Sequence, residues 1–323
     1  MVFRMTFVTA IALLCATVSG STPAPAETPV TLTIFGAGTL AAPFAQIDAA
    51  FQAQNPDVAV QAQFGGSVMM SRKITDLHQH ADLLAVADYS VIPKYLFGGD
   101  GKTAYADWYA GFAQNAITFV YTDKSKFHNE ISSQNWYEYL IKPGVQIGRS
   151  NPDTDPSGYQ TLQMLALAET HYQSPDLAAK VLANAPKENM RDTETELIAA
   201  LQLGQIDYLA IYRSDALQHH LKYLGLPAEI NLSDPAFAAA YATAAAHTAN
   251  GDLAGKPIVY AVTIPSDPDH PDWAQKYVAF LLSRAGQEIM ANNGFGTVSP
   301  AYAANVDKMP ASIQSMVRPW PGN

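Results

Sequence analysis

The sequence predicts an α/β protein with mainly parallel sheets, and three observations support that fold class. Apolar β-branched segments alternate with segments of helical spacing, and glycines mark the turns between them. The 323 residues are too many for one simple core and suit two domains of ordinary size. A hydrophobic fraction of 48% and a charged fraction of 15% are typical of a well-packed globular chain.

The first elements follow one another as strand, glycine turn and helix. Residues 30–35 alternate and are β-branched, so they form the first predicted strand, which Gly36 ends. Residues 40–54 have apolar side chains at helical spacing, and Pro56 stops this helix. The same arguments predict a strand at 58–64, a helix at 69–78 and a short buried strand at 82–87.

The alternation resumes at residue 116 and predicts a second lobe. The strands at 116–121 and 258–264 are natural places for the chain to pass between two lobes, which gives two hinge crossings with a cleft between them. Lobe 1 is expected to comprise residues 27–115 and 260–323, and lobe 2 residues 116–259. Further strands are predicted at 146–148 and 208–212, and further helices at 159–172, 196–203 and 274–292.

The first 26 residues are typical of a secretory signal peptide, which predicts a periplasmic protein. Arg4 supplies the positive charge, residues 7–18 are a short apolar run, and residues 24–26 (Ala-Pro-Ala) offer a cleavage site. The run is too short to span a bilayer comfortably and no later segment reaches that length, so no stable membrane insertion is expected after cleavage. A retained N-terminal anchor is the alternative. The single cysteine, Cys15, lies in the segment to be removed, so no disulfide is expected.

The charge distribution makes nucleic acid an unexpected partner. The formal charge is −10, and no basic run occurs anywhere in the chain. An acidic surface also does not attract small anions at long range. If the ligand is an anion, local dipoles must hold it.

Two glycine turns that follow successive strands are candidate anion-binding sites. They are residues 36–39 (Gly-Ala-Gly-Thr) and residues 65–67 (Gly-Gly-Ser). Helix N-termini offer unpaired N–H groups and the positive end of the helix dipole, and Thr39 and Ser67 add hydroxyl groups. Both turns are expected at the carboxyl edge of one sheet, where α/β proteins bind ligands. The alternative is a pair of tight turns, with Thr39 as an N-cap.

Two acidic helix starts are the other candidates. Asp155 precedes Pro156 and fits an N-cap with proline at the first helical position, a role that capping alone explains. Thr193 and Glu196 fit a capping box, which leaves Glu194 free in the first turn. A solvated acid that complements the helix dipole is the alternative interpretation of Glu194.

Other patterns are weaker. His78 with His80, and His219 with His220, have no cysteine or third ligand nearby in the sequence, so surface pairs are favoured over metal sites. No Gly-x-Ser-x-Gly elbow, Walker loop or His-Glu-x-x-His motif occurs.

At the four candidate positions the sequence resembles the periplasmic molybdate/tungstate-binding proteins of ABC transporters, in particular the branch of archaeal tungstate carriers. The resemblance covers essentially all of residues 30–300 and is more specific than any single motif. The matching segments are 36–44 (GAGTLAAPF), 66–67 (GS), 73–77 (KITDL), 81–93 (ADLLAVADYSVIP), 148–152 (GRSNP), 155–159 (DPSGY), 204–208 (GQIDY), 212–214 (YRS) and 226–233 (LPAEINLS).

The resemblance implies a type II periplasmic-binding-protein fold, with a molybdate or tungstate anion between the lobes. It implies a monomer that delivers the anion to an ABC transporter permease, with no cofactor and no enzymatic activity. The residues that correspond to oxyanion-binding positions are Thr39, Ser67, Ser157 through its backbone, and Tyr212. In this branch two carboxylates also coordinate the metal itself; they correspond to Asp155 and Glu194, with Glu229 as the alternative second carboxylate.

Three residues depart from the family pattern. Thr39 stands where serine is usual, Ser157 replaces a common cysteine, and Gln160 replaces a common arginine. The last difference removes a nearby positive charge from a site that is expected to hold two acids and a dianion.

Elementary electrostatics decides how two acids can lie beside a dianion. At ~4 Å and an effective dielectric of about 20, one carboxylate and a dianion repel by roughly 8 kcal/mol. Helix dipoles return only ~0.3–1 kcal/mol each. Two acids beside the dianion are reasonable if they bond to a high-valent metal centre that accepts extra oxygen ligands. Sulfur in sulfate does not accept such ligands. The sequence therefore predicts strong rejection of sulfate and phosphate.

Two rival functions remain open at this point. The first is a binding protein of the same architecture for sulfate, phosphate or ferric iron. The second is a hydrolase that uses Asp155 and Glu194 as its acid and base.

Overall fold

The computed structural model describes residues 29–99, 103–249 and 251–320, together with residues 1 and 101. The predicted signal peptide therefore lies outside the described residues, apart from Met1. No helix in the described part of the chain is both long and apolar enough to cross a membrane.

Two sheets organise the described residues. The strands are β1 (Val30–Ala37), β2 (Val58–Gly65), β3 (Leu83–Val86), β4 (Tyr109–Gln114), β5 (Ile117–Tyr121), β6 (Ile147–Ser150), β7 (Met190–Arg191), β8 (Tyr208–Tyr212), β9 (Lys222–Tyr223), β10 (Ala245–Thr248), β11 (Gly251–Ala254), β12 (Val259–Thr263), β13 (Gly296–Ala304) and β14 (Val317–Pro319). The first sheet has the order β14-β13-β4-β12-β3-β1-β2, and the second has the order β7-β6-β8-β5-β9. Strands β10 and β11 form a separate hairpin.

Helices pack against both sheets. They are α1 (Ala41–Gln54), α2 (Ser67–Thr75), α3 (Val91–Tyr95), α4 (Trp136–Tyr139), α5 (Pro156–His171), α6 (Leu177–Ala183), α7 (Ile198–Leu203), α8 (Arg213–Gln218), α9 (Ala228–Asn231), α10 (Ala238–Tyr241), α11 (Pro271–Leu282), α12 (Arg284–Asn292) and α13 (Ala311–Gln314). Short 3-10 turns occur at Gly38–Leu40, Lys187–Asn189, Glu194–Leu197, Pro235–Phe237 and Val306–Lys308.

The predicted α/β fold class with two lobes and mainly parallel sheets is confirmed. Within the described strands, four of the seven in the first sheet and four of the five in the second point in a common direction. The exceptions include β5 and β12, the strands at which the chain enters the second sheet and returns to the first.

Apart from the hairpin of β10 and β11, sheet membership divides the described strands into two groups. The first sheet draws on residues 30–114 and 259–319, and the second on residues 117–223. The chain therefore passes between the sheets twice, once between β4 and β5 and once between β11 and β12. The lobe boundaries given above remain a proposal.

One predicted element differs clearly from the structure. The helix expected over 274–292 is two helices, α11 and α12, because Ser283 takes an extended backbone conformation with ψ 166°. Its hydroxyl accepts a hydrogen bond from the backbone N–H of Gly286 and so caps α12. The apolar spacing continues across this break, which is why periodicity alone did not reveal it.

The register of the first two strands places the two glycine turns side by side. In the parallel pair β1 and β2, Ala37 lies opposite Gly65. The next residues, Gly38-Thr39 and Gly66-Ser67, therefore leave the same edge of the sheet at neighbouring positions. This is the edge at which parallel α/β sheets bind ligands.

Candidate functional site

The glycine turns of the first sheet supply two buried hydroxyl groups. Thr39 Oγ1 lies 2.9 Å from the hydroxyl of Tyr260, a residue of β12. Ser67 Oγ accepts a hydrogen bond from the backbone N–H of Ala87 at 2.9 Å, which leaves its own proton to donate. Both side chains are almost fully buried, at 3% and 0% exposure.

The second lobe supplies two buried carboxyl groups at helix starts. Asp155 is the N-cap of α5, where its Oδ1 accepts from the backbone N–H of Ser157 at 2.8 Å. Glu194 begins the 3-10 turn before α7, and its Oε2 accepts from the Ser157 hydroxyl at 2.7 Å. Ser157 Oγ also lies 2.5 Å from Ser150 Oγ. Ser157 therefore contacts both acids, although they are 39 positions apart in the sequence.

The glycine turns and the acid-bearing turns face each other. A Cβ atom on Gly66 would lie 2.4 Å from the backbone oxygen of Thr154, the residue before Asp155. A Cβ atom on Gly38 would lie 3.5 Å from the Thr195 hydroxyl and 3.9 Å from Thr193, the two neighbours of Glu194. Each hydroxyl-bearing turn of the first sheet is thus opposite one acid of the second, so four segments distant in sequence form one site.

Tyr212 lies in the same cluster and contacts Gln160. It ends β8, is fully buried, and its hydroxyl donates to Gln160 Oε1 at 2.7 Å. Burial, the neighbouring Tyr260, and then the charges of Asp155 and Glu194 raise the pKa of Tyr212 well above its usual value. Its phenol therefore keeps its proton at neutral pH.

Glu229 does not join the cluster. It is exposed at the start of α9. Its charge acts on Tyr172, which caps the C-terminal end of α5, whereas Asp155 caps the N-terminal end. The 16 residues of α5 separate the two ends by about 24 Å at 1.5 Å per residue.

Sequence reasoning missed a third buried acid, Asp215. It lies in the first turn of α8, directly after β8, with 1% exposure, and its Oδ2 has no hydrogen-bond partner among the described residues. It lines a cleft of about 470 Å³ between the glycine turns and the residues around Glu194. No sequence motif pointed to Asp215, because an acid in the first turn of a helix is ordinarily interpreted as a solvated group.

Two further residues of the site were also missed. Asn115 lies at the first crossing between the sheets and donates through Nδ2 to the hydroxyls of Ser214 and Tyr260, at 2.8 and 3.2 Å. Tyr260 in turn contacts Thr39. These contacts join both crossings to the site, but a lone Asn and a strand tyrosine give no signal in the sequence.

Burial dominates the electrostatics of the three acids. The pKa of Asp155 is raised well above its usual value by burial and by the charge of Glu194. Burial and the charge of Asp215 raise the pKa of Glu194 to about 7. Burial and the charge of Asp155 raise the pKa of Asp215 to about 8. None of the ion pairs formed by the described residues includes these three acids.

The charge of one acid in the cluster opposes ionisation of the next: Glu194 acts on Asp155, Asp215 acts on Glu194, and Asp155 acts on Asp215. In the absence of ligand the cluster is therefore not triply charged at neutral pH.

The histidine pairs lie elsewhere. His78 Nδ1 lies 3.3 Å from the Tyr105 hydroxyl, and His80 lies 3.8 Å from Asp269. No three of the described His, Cys, Asp and Glu residues are grouped so as to hold a metal ion.

A second set of contacts holds the lobes together beside the site. Tyr159, in α5, donates to Asp88 Oδ2 at 2.7 Å, and the Lys256 ammonium lies 3.3 Å from the same oxygen. Asp88 follows β3 in the first sheet and is 1% exposed. The described structure is thus a closed arrangement of the two lobes.

Comparisons with known proteins agree with this architecture. Residues 32–296 match the family described as bacterial extracellular solute-binding protein. An uncharacterized solute-binding protein of Petrotoga mobilis is 38% identical over 293 residues, which are 89% of this chain and 90% of that protein. The molybdate/tungstate-binding protein WtpA of Pyrococcus abyssi is 35% identical over 314 residues, with 88% of this chain and 89% of that protein covered. The structure of the periplasmic molybdate-binding protein of Azotobacter vinelandii is similar in fold, with a TM-score of 0.62 at 16% identity over 83% of this chain and 99% of that one.

Proposed function

This chain belongs to the bacterial extracellular solute-binding proteins, and we propose that it captures molybdate or tungstate and delivers the anion to an ABC importer. The proposal includes export by the N-terminal signal peptide to the periplasm, a monomeric carrier without cofactor, and a permease as its partner. Catalysis has no part in it, because members of this family bind solutes and release them unchanged.

One observation supports the choice of ligand above all. Hydroxyl groups on two glycine turns lie opposite two carboxyl groups on two helix starts, and all four side chains are buried. Thr39 and Ser67 suit the oxygen atoms of a tetrahedral anion, because buried hydroxyls donate hydrogen bonds without adding charge. The carboxyl groups of Asp155 and Glu194 are suited to bond to the central metal atom of the anion.

The carboxyl groups give the site its selectivity. Each carboxylate would repel a bound dianion by roughly 8 kcal/mol at ~4 Å, so a site built only for hydrogen bonding would not place acids there. Molybdenum and tungsten in their oxyanions accept additional oxygen ligands, and the two acids then become bonding partners. Sulfate and phosphate offer no such bond and meet only the repulsion.

Calorimetric titration of the purified protein tests this function. We expect saturable binding of molybdate and tungstate, and no measurable binding of sulfate or phosphate at concentrations that saturate the protein with molybdate. Native mass spectrometry of the same samples should show one oxyanion per chain. Sulfate that binds as tightly as molybdate would contradict the role of the acids, and absence of binding by any oxyanion would contradict the function.

Closure of the lobes around the ligand gives a second prediction. The backbone of Gly66 has φ −58° and ψ 133°, which alanine adopts readily, so Gly66→Ala should fold. Its Cβ would meet the Thr154 carbonyl oxygen at 2.4 Å only when the lobes are closed. Molybdate binding should weaken by roughly ten- to hundredfold, because the added methyl group opposes the closed arrangement that holds the anion.

Gly65→Ala is the matched control for this substitution. The atoms nearest to a Cβ there would be the terminal methyl groups of Met70 and Met69, at 2.6 and 2.7 Å, and these flexible side chains can move. Molybdate affinity close to that of the wild type is expected for Gly65→Ala. If the two variants lose affinity equally, contact between Gly66 and Thr154 does not govern closure.

A further inference from the structure

Gln160 carries a buried hydrogen-bond donor that the protein does not use. The residue lies in the second turn of α5 and is 1% exposed. Its Oε1 accepts from the Tyr212 hydroxyl at 2.7 Å, whereas its Nε2 has no partner among the described residues. A buried amide without a partner costs about 1–3 kcal/mol, so native proteins rarely keep one without a reason.

The contact with Tyr212 determines which end of the Gln160 amide, the oxygen or the NH₂ group, is left without a partner. Since the phenol keeps its proton, it donates to the side-chain oxygen of Gln160, and the NH₂ group is then the other limb. Tyr212 lies within the electrostatic reach of Asp155 and Glu194. Gln160 therefore borders the same site.

We propose that Gln160 is a specificity-determining residue whose Nε2 donates a hydrogen bond to an oxygen of the bound oxyanion. This inference rests on the proposed capture of molybdate or tungstate. A neutral amide can donate a hydrogen bond to an anionic oxygen. It brings no full positive charge that would also attract the carboxylates. A neutral amide forms no ion pair with Asp155 or Glu194. The amide leaves both acids available.

Another glutamine on α5 offers a matched control. Gln163 is also 1% exposed, but its Nε2 donates to the backbone oxygen of Leu253 at 2.9 Å. Both glutamines are buried on one helix, and they differ in whether the protein itself satisfies the amide. Replacing each by methionine preserves approximate length and removes the amide.

Calorimetric titration with sodium molybdate, together with thermal denaturation of the ligand-free protein, separates the two roles. Gln160→Met should weaken molybdate binding by roughly ten- to hundredfold, since a hydrogen bond to a charged partner is lost. Gln163→Met should lower the thermal midpoint and leave the molybdate dissociation constant within about twofold of the wild type.

Gln160→Glu provides a second test that keeps the shape of the side chain and the acceptor for Tyr212. It exchanges the NH₂ group for an oxygen, so molybdate affinity should fall at least as far as in Gln160→Met. Wild-type affinity in either Gln160 variant, or equal losses in Gln160→Met and Gln163→Met, would overturn the inference. Failure of the wild-type protein to bind any oxyanion would instead overturn the proposed function, so the two outcomes are distinct.

Discussion

Replacing Asp155 with alanine is expected to weaken molybdate and tungstate binding by roughly a hundredfold or more. The substitution removes one of the two carboxyl groups that we place on the metal atom. It also removes the cap that accepts from the Ser157 backbone N–H at the start of α5. Calorimetric titration gives the dissociation constants, and circular dichroism checks the fold.

The chain contains a matched control for the capping role of Asp155. Asp234 also precedes a proline and accepts from a backbone N–H two residues on, that of Ala236, at 2.9 Å. It caps the short turn Pro235–Phe237 rather than α5. Asp234→Ala should cost about 1 kcal/mol of stability, as cap removal ordinarily does, without changing molybdate affinity. Equal affinity losses in the two variants would mean that the effect of Asp155→Ala is structural.

Glu194 should behave in the same way as Asp155. Glu194→Gln keeps the shape of the side chain and removes the charge that bonds to the metal, so a loss of similar size is expected. Glu196, two positions along the same turn, is exposed and accepts from the Thr193 hydroxyl at 3.1 Å. Glu196→Gln should bind molybdate as the wild type does. Unchanged affinity in Glu194→Gln would contradict coordination by this acid.

Local chemistry made one part of the candidate site predictable from the sequence. Asp155 before Pro156 and the glycines before Thr39 and Ser67 are signals of helix starts, and each signal depends on only a few neighbouring residues. The structure places all of them where a helix or 3-10 turn begins. The capping box expected at Thr193 is present only in part, since the Thr193 hydroxyl contacts Glu196 but does not cap the turn.

Three further residues depend on tertiary contacts that no local pattern records. Asn115 and Tyr260 contribute because the two strand crossings meet beside Thr39, and Asp215 contributes because the start of α8 lines the cleft. Their spacing in the sequence carries no information about that meeting. The choice between Glu194 and Glu229 was open for the same reason, since both lie near a helix start and only packing separates them.

Raising the pH is expected to destabilise the ligand-free protein, and Asp215→Asn should reduce that effect. Burial raises the pKa of Glu194 to about 7 and that of Asp215 to about 8, whereas both acids titrate near 4 in the unfolded chain. The folded protein therefore holds more protons than the unfolded chain above pH 4, and the stability that these protons confer is lost as the pH rises through 7 and 8. The loss amounts to a few kcal/mol, or roughly 5–10 °C in the thermal midpoint between pH 6 and pH 9.

Thermal denaturation of the ligand-free protein across this range measures the effect. Asp215→Asn cannot ionise, so its midpoint should fall less steeply with pH and should exceed that of the wild type at pH 9. Asp207→Asn serves as the control, because Asp207 accepts from the backbone N–H groups of Lys126 and Gln146 and pairs with the Lys126 ammonium at 3.2 Å. Its loss should lower the midpoint at every pH.

A midpoint that is independent of pH in the wild type, or a slope unchanged in Asp215→Asn, would show that Asp215 is ionised throughout and that the closed lobes tolerate three charges in one cluster. Saturating molybdate should also reduce the pH dependence, because acids bonded to the metal no longer release protons over this range.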